Sequence, residues 1–276
     1  MKNARERLSS VLQATGLMAK KSLGQNFLVS DVVIDRIWQE VRSFAPQAMI
    51  EIGPGPGALT DGLREMSSSL RLIELDRTMA AYWREQGLDV LEEDALQVDW
   101  KNLIQSDEVV LVSNLPYQIS ASLVIDRSLD ERRLAGMVLM FQKEVAQRIR
   151  ATPSTEAYGM LSVIAQNFWS IRLVSEAGPQ DFSPPPRVAS RVLSFRPLTD
   201  VLVPAPPFLS FVKAAFAQRR KLLKSNLSVW LGSRRIPMEI LLAKLATFGL
   251  KESARAEELS PAQFRELYEH LDRSRK

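Results

Sequence analysis

The stretch IEIGPGPGALT, residues 50–60, runs from an apolar strand-like segment into three alternate glycines and then into a helical pattern. Gly53, Gly55 and Gly57 permit a tight turn and let a ligand approach the backbone beside the positive end of a helix. A strand, a glycine turn and a helix in that order predict the first unit of a parallel α/β sheet. The spacing is G-x-G-x-G rather than G-x-G-x-x-G, and Glu51 stands just upstream on the strand. Dinucleotide enzymes also use glycine loops, so the loop alone does not identify its ligand.

The segments around this loop extend the pattern. From about residue 48 to 150, short apolar runs alternate with helical ones: AMIEIG and ALTDGLREM, LRLIELD and RTMAAYWREQ, LDVLEED, VVLVSNLPY and ISASLVIDRSL, LAGMVLMF and QKEVAQRIR. Such alternation predicts a Rossmann-like α/β fold, a mostly parallel sheet covered on both faces. AYGMLSVIAQNF reads as a further helix, and SIRLVSEA and SRVLSF as strands that close the sheet with an antiparallel edge. RPLTDVLVPAPP, residues 196–207, holds four prolines and reads as a linker. Beyond it FLSFVKAAFAQRRKLLKSNL, PMEILLAKLATFG and SPAQFRELYEHL read as helices, the last with Ser260 as N-cap and Pro261 at the first helical position. The expected organisation is an α/β domain over residues 1–200 with a basic N-terminal segment, and a small all-α domain over 201–276.

Two further strand ends add acids to the glycine loop. Glu74, in IELD, can accept both hydroxyls of a ribose, and Asp94, in EEDAL, is placed to meet an adenine amino group. Glycines, Glu and Asp at three successive strand ends are the arrangement expected for S-adenosylmethionine, a cation without phosphate. Ordinary strand-end turns would explain any one of these acids, but not all three together.

Composition sets the limits of the reading. The 276 residues are 46% hydrophobic and 25% charged, enough for packed cores and unlike a disordered chain. There is no cysteine, which excludes disulfides, thiolate zinc sites and a cysteine nucleophile. No apolar run approaches a membrane span, and MKNARERLSS lacks the apolar core of a secretory signal, so a cytoplasmic location is expected. The net charge of +4 is unevenly spread: residues 1–27 carry +4 and residues 208–276 carry +7, which leaves −7 for the body. A polyanion held at basic flanks and a cation held by an acidic body would fit that division; so would charge that serves only solubility.

At this point the chain resembles the ribosomal RNA adenine dimethyltransferases that modify small-subunit rRNA. The resemblance covers nearly the whole chain and rests on KKSLGQNFL (20–28), EIGPGPGALT (51–60), IELD (73–76), NLPY (114–117), FSPPPRVAS (182–190) and AFAQRRKLLKSNL (215–227), in the family's order. It implies an S-adenosylmethionine-dependent enzyme without a metal that dimethylates the exocyclic amino groups of two adjacent adenosines during ribosome assembly. It also implies that Asn26 and Leu28 belong to a segment closing over the cofactor, with Gly53, Gly55, Glu74, Asp94 and Asn114 as its other contacts. Glu93 departs from the family pattern, where glycine is expected before the Asp, and bears on the shape of the adenine pocket.

NLPY suits that chemistry. The lone pair of adenine's exocyclic nitrogen is delocalised into the ring, so the amine must be oriented toward the methyl group. The Asn114 side-chain oxygen can accept one N–H, and a carbonyl next to Pro116, most simply that of Leu115, can accept the other. Asn does this without burying a full charge. Pro116 fixes the backbone, and Tyr117 offers a ring on which a flipped-out adenine can stack. Phe182 resembles the residue that covers the base's opposite face. A strand-ending turn would account for NLPY if it stood alone.

Lys213, Arg219, Arg220, Lys221 and Lys224 cluster on what reads as the first helix of the C-terminal domain, and the resemblance implies an rRNA helix of the small subunit as their target. A solvated basic face explains the cluster almost as well. Lys20 and Lys21 precede the cofactor-closing segment and are further candidates for RNA contact. Trp38, Trp83, Trp169, Trp230, Met137 and Met140 read as packing, and His270 as a surface residue. A monomer is expected. The rival readings are a large-subunit rRNA methyltransferase of the macrolide-resistance type, a non-catalytic RNA-binding assembly factor and, more distantly, a dehydrogenase.

Overall fold

The structure is a computed structural model that describes residues 3–16, 26–104, 106, 108–130, 134–199 and 205–274. In chain order its elements are α1 (Ala4–Thr15), β1 (Phe27–Leu28), α2 (Asp31–Arg42), β2 (Ala48–Ile52), α3 (Thr60–Met66), β3 (Leu70–Ile73), α4 (Arg77–Glu85), β4 (Asp89–Leu91) and α5 (Trp100–Leu103). There follow β5 (Val109–Asn114), α6 (Ser120–Leu129), β6 (Gly136–Gln142), α7 (Lys143–Ile149), α8 (Met160–Phe168), β7 (Trp169–Ala177), β8 (Phe182–Ser183) and β9 (Ser190–Pro197). Four helices end the chain: α9 (Ala205–Ala215), α10 (Leu223–Gly232), α11 (Met238–Thr247) and α12 (Pro261–Arg273).

Seven strands form one sheet in the order β4-β3-β2-β5-β6-β9-β7. From β4 to β6 every pairing is parallel, and β9 joins β6 antiparallel, with Met140 opposite Val192. The runs AMIEI, VVLVSN and GMVLMFQ are apolar almost throughout because helices cover both faces of these central strands. Chain order reverses between β2 and β5, which makes that gap the topological switch point, where an open α/β sheet forms its ligand crevice at the carboxyl ends of the strands. Behind the sheet, buried Glu40 of α2 pairs with Arg172 of β7 and accepts from Ser194 Oγ of β9 at 2.6 Å, so the charge taken from water is matched. A separate two-stranded sheet joins β1 to β8, with Leu28 opposite Phe182.

The chain divides into two compact units: Met1–Val124 with Arg132–Ala146 and Ser170–Pro197, and Ile125–Glu131 with Gln147–Trp169 and Leu198–Lys276. The second unit is therefore larger than the proline-rich segment suggested. It takes in α8, whose Val163 and Ile164 are fully buried in a core with Phe208, Phe211, Leu267 and Tyr268. Tyr158, just ahead of α8, is buried there too and donates from its hydroxyl to the Leu259 carbonyl at 2.7 Å. The Ser260 cap of α12 is present, its Oγ accepting from Gln263 N at 3.2 Å, with Pro261 opening the helix. Trp38, Trp83, Trp169, Trp230, Met137 and Met140 are all buried, and His270 is exposed. Among the described residues no helix is long and apolar enough to cross a membrane.

Candidate active site

A concave site of the first unit lies at the switch point, walled by the ends of β2, β3, β4 and β5 and by residues of α1 and β1. The glycine loop forms its floor. Gly53, Gly55 and Gly57 have φ of 63°, 48° and 86°, conformations that residues with a Cβ rarely adopt. The loop is held from both sides, since Gly53 N donates to the Ile73 carbonyl at 2.8 Å and the Gly55 carbonyl accepts from Trp83 Nε1 at 2.9 Å. A Cβ on Gly57 would stand 2.7 Å from two carbons of the Trp83 ring. Gly57→Ala is therefore expected to cost about 2–4 kcal/mol of stability, whereas Gly87→Ala, with a similar φ but open space around it, is expected to cost only about 1 kcal/mol. Urea denaturation of both variants checks the difference, and equal losses would mean that the ring is not a wall of the loop.

Four carboxylates line this pocket: Glu51, Glu74, Glu93 and Asp94. Glu74 is fixed by backbone donors, its Oε1 accepting from Asp76 N at 2.8 Å and its Oε2 from Gly55 N at 3.3 Å. Burial nevertheless outweighs those bonds and raises its pKa above the ordinary carboxylate value. Asp94 accepts from Leu96 N at 2.9 Å through Oδ1. Glu51 is the most strained electrostatically. Burial first, then the neighbouring charges of Glu74 and Asp61, push its pKa up to about 8, and its Oε2 is buried without a hydrogen-bond partner.

An acid-lined cradle with an orphaned carboxylate oxygen fits a cationic ligand carrying a ribose and no phosphate, and it disfavours a dinucleotide. Four carboxylates would repel phosphates, and among the described lining residues the single cation is Arg7.

NLPY closes the pocket from the end of β5. Ser113 Oγ donates to the Ile52 carbonyl at 2.6 Å and locks β5 to β2 immediately before Asn114. Asn114 Nδ2 donates to the Asn26 carbonyl at 3.2 Å, which leaves Oδ1 as the acceptor the side chain can present to a substrate. Of the next three carbonyls, that of Pro116 accepts from Ile119 N and that of Tyr117 from Ser120 Oγ. Among the described residues the Leu115 carbonyl accepts nothing. The Tyr117 hydroxyl stands 3.3 Å from Ser190 Oγ, which steadies its half-buried ring.

Asn26, Leu28, Gly53, Gly55, Glu74, Asp94, Asn114, Leu115, Pro116 and Tyr117 are thus brought to one pocket. Phe182 is not among its lining residues. Its side chain is 3% exposed and packs in the core beside Leu28, because β8 pairs with β1. The position that the resemblance implies for Phe182, over the second face of a base, is therefore not presented at this pocket. Lys20 and Lys21 lie outside the described residues.

The basic cluster also differs from expectation. Lys213 is on α9, but Arg219, Arg220 and Lys221 lie in the turn that follows it, and Lys224 is in the first turn of α10. The helix stops because Asn226 Nδ2 donates to the carbonyls of Ala215 and Gln218 at 2.7 and 3.0 Å, satisfying acceptors that a longer helix would have used. Arg219 is paired with Glu257 at 3.0 Å and Lys224 with Glu252 at 3.1 Å. Exposed Arg220 and Lys221 have no ion pair among the described residues.

Arg7, Ala4 and Leu8 of α1 line the pocket without having been signalled by the sequence, as does Leu75, 58% exposed beside Glu74. Leu75 could have been suspected, since it follows Glu74, the acid expected to meet a ribose; Arg7 of α1 stands 50 residues from Gly57, whose carbonyl it touches, and its helix carries no motif of its own.

Residues 16–273 match the family model described as ribosomal RNA adenine dimethylase. The chain is 59% identical over 271 residues to a ribosomal RNA small subunit methyltransferase A from Bdellovibrio bacteriovorus, covering 98% of this chain and 99% of the relative. It is 40% identical over 256 residues to the protein of that name from Syntrophotalea carbinolica, covering 90% and 95%. Among solved structures, a dimethyladenosine transferase from Plasmodium falciparum superposes with a TM-score of 0.75 at 22% identity, covering 90% of this chain and 98% of that one. The 23S rRNA methyltransferase ErmE superposes with a TM-score of 0.66 at 24% identity, covering 90% and 100%. These two structural likenesses speak to the fold alone.

Proposed function

The chain belongs to the ribosomal RNA adenine dimethylase family, and from that membership we propose that it dimethylates the exocyclic amino groups of two adjacent adenosines of small-subunit rRNA, in the cytoplasm, using S-adenosylmethionine. The observation that carries this reading is the pair of acceptors at the end of β5: Asn114 Oδ1, turned outward by the bond from Nδ2 to Asn26, and the unengaged carbonyl of Leu115.

When bound, S-adenosylmethionine supplies an electrophilic methyl group on a sulfonium. The chain's own residues do the rest. Glu74 accepts from the ribose hydroxyls, Asp94 from the adenine amino group, and Glu51 offsets positive charge at the amino-acid end. Asn26 and Leu28 cover the ligand, and Gly53 and Gly55 give it backbone contact. Asn114 Oδ1 and the Leu115 carbonyl accept the two N–H bonds of the target amine, which turns its lone pair toward the methyl group. Pro116 holds that carbonyl in place and Tyr117 stacks on the extruded base. No proton need leave before transfer; the ammonium-like product loses its proton to solvent.

Small-subunit specificity is tested by offering the enzyme both ribosomal subunits from cells that lack these modifications, with methyl-labelled cofactor. Label in the small subunit alone is expected; label in the large subunit would favour the macrolide-resistance type of activity.

Arg220 and Lys221 are assigned to RNA phosphates, with Lys213, Arg219, Lys224, Lys20 and Lys21 as further contacts. The double substitution of Arg220 and Lys221 to alanine is expected to weaken binding to small subunits roughly tenfold at moderate salt and to lower the salt slope of log Kd by about 2, with cofactor affinity unchanged. Filter binding across a salt series measures it. An unchanged slope would identify the turn as a solvated surface only.

A further inference from the structure

Resting on the reading of the pocket as a site for S-adenosylmethionine, we propose that Arg7 binds the α-carboxylate at the cofactor's amino-acid end, which makes the N-terminal helix part of the binding site. α1 is fastened to the first unit by several bonds. Asn3 and Glu6 form a capping box at its start, Ala4 N donates to Asp31 Oδ1 at 3.0 Å, and Arg5 Nη2 donates to the Gln180 carbonyl at 3.1 Å. This brings Ala4, Arg7 and Leu8, spaced at i, i+3 and i+4, to the pocket wall.

Arg7 is held against the glycine loop itself. Its Nη1 donates to the carbonyls of Gly57 and Ala58 at 3.2 and 3.3 Å, and its Nε pairs with Asp61 Oδ2 at 2.8 Å. The side chain is only 12% exposed. Its Nη2 has no partner among the described residues, so two N–H donors remain for a ligand.

The end of the pocket follows from neighbouring residues. Glu74, bonded to Gly55 N, marks the ribose. Glu51 lies beside Thr60, and Arg7 holds Asp61, the next residue of α3. Glu51 and Arg7 therefore bracket the same end, the one left for the amino acid once the ribose is on Glu74. S-adenosylmethionine presents an ammonium and a carboxylate there. A carboxylate entering a pocket lined by Glu51, Glu74, Glu93 and Asp94 is repelled everywhere except at Arg7. A guanidinium with two free donors is the group that can hold it.

The test compares S-adenosylmethionine with decarboxylated S-adenosylmethionine, which differs only in lacking that carboxylate, by calorimetry on the full chain. The wild type is expected to prefer the carboxylated ligand by about 10- to 100-fold, the range for a hydrogen bond to a charged group. Arg7→Met is expected to abolish the preference by weakening the first ligand and leaving the second unchanged. Arg7→Met/Asp61→Asn, which removes the unpaired acid, should behave alike. Arg7→Lys should restore part of the preference. Equal loss of both ligands in both Met variants would show a brace for the loop and overturn the proposal. So would a wild type that binds both ligands equally, even though the site would then still take the cofactor. A wild type that binds neither would remove the reading of the pocket and this proposal with it.

Discussion

Asn114→Ala is expected to lower the rate constant for methyl transfer by about a thousandfold or more, the scale on which orientation and positioned acceptors act. The physical reason is that the variant loses the acceptor for one N–H of the amine, leaving only the Leu115 carbonyl, and the nitrogen lone pair stays in conjugation with the ring. Small-subunit affinity is expected to remain within about threefold, because the phosphate contacts that dominate such binding lie elsewhere. Cofactor affinity should fall only a few-fold, since the variant also frees the Asn26 carbonyl that Asn114 Nδ2 engages. Single-turnover transfer and separate binding measurements divide the two effects. Wild-type transfer by the variant would sink the mechanism. A proportional loss of RNA affinity would mean that Asn114 supports the fold rather than the chemistry.

The second large effect is a pH dependence carried by Glu51. Its folded-state pKa is raised from 4.5 to about 8, so the folded protein holds this proton more tightly than the unfolded chain does. Below the unfolded value the group contributes nothing to the difference. As pH rises from about 4.5 to 8, the unfolded chain gives up the proton that the folded one keeps, which progressively destabilises the empty protein, by a few kcal/mol in all.

A cation in the pocket reverses the sense, because it favours the carboxylate. Cofactor binding below pH 8 must then release a proton, and affinity is expected to rise by up to about tenfold per pH unit between pH 6 and 8. Glu51→Gln should remove that slope and stabilise the empty protein at pH 8. It should also weaken the cofactor at pH 8 by about 10- to 100-fold. Calorimetry in buffers of different ionisation enthalpy reads the proton directly. No proton release and an unaltered slope in the variant would contradict the assignment of Glu51 to the charged end of the ligand.

How far the sequence led depends on how local each feature is. IEIGPGPGALT specifies its own strand, turn and helix, and Glu74 and Asp94 occupy equivalent strand ends, so fold class and pocket were legible from short windows. The antiparallel closure by SRVLSF followed from its position after the parallel units. Features that arise from pairing across the chain were not legible. α1 shows a capped, weakly amphipathic helix, and nothing in its residues says that Arg7 meets the carbonyls of Gly57 and Ala58. Phe182 was expected to cover the base's opposite face because its motif resembles one that does; pairing with β1 places it in the core.

AFAQRRKLLKSNL has an unbroken helical pattern without glycine or proline, yet it breaks after Ala215. The signal was Asn226, whose amide caps the carbonyls left by the first helix, and such caps cannot be read without knowing the turn. The extent of the second unit was missed for a similar reason. Proline content reads as a linker, whereas the membership of α8 is decided by which core buries Val163 and Ile164.

The central claim is that the end of β5 presents two acceptors to the exocyclic amine of adenine. Nucleoside analysis by mass spectrometry, after transfer of labelled methyl groups to undermodified small subunits, tests it most directly. N6,N6-dimethyladenosine at two adjacent positions is the predicted product, absent with Asn114→Ala. Label on a ribose hydroxyl, a ring nitrogen or another base would contradict the account.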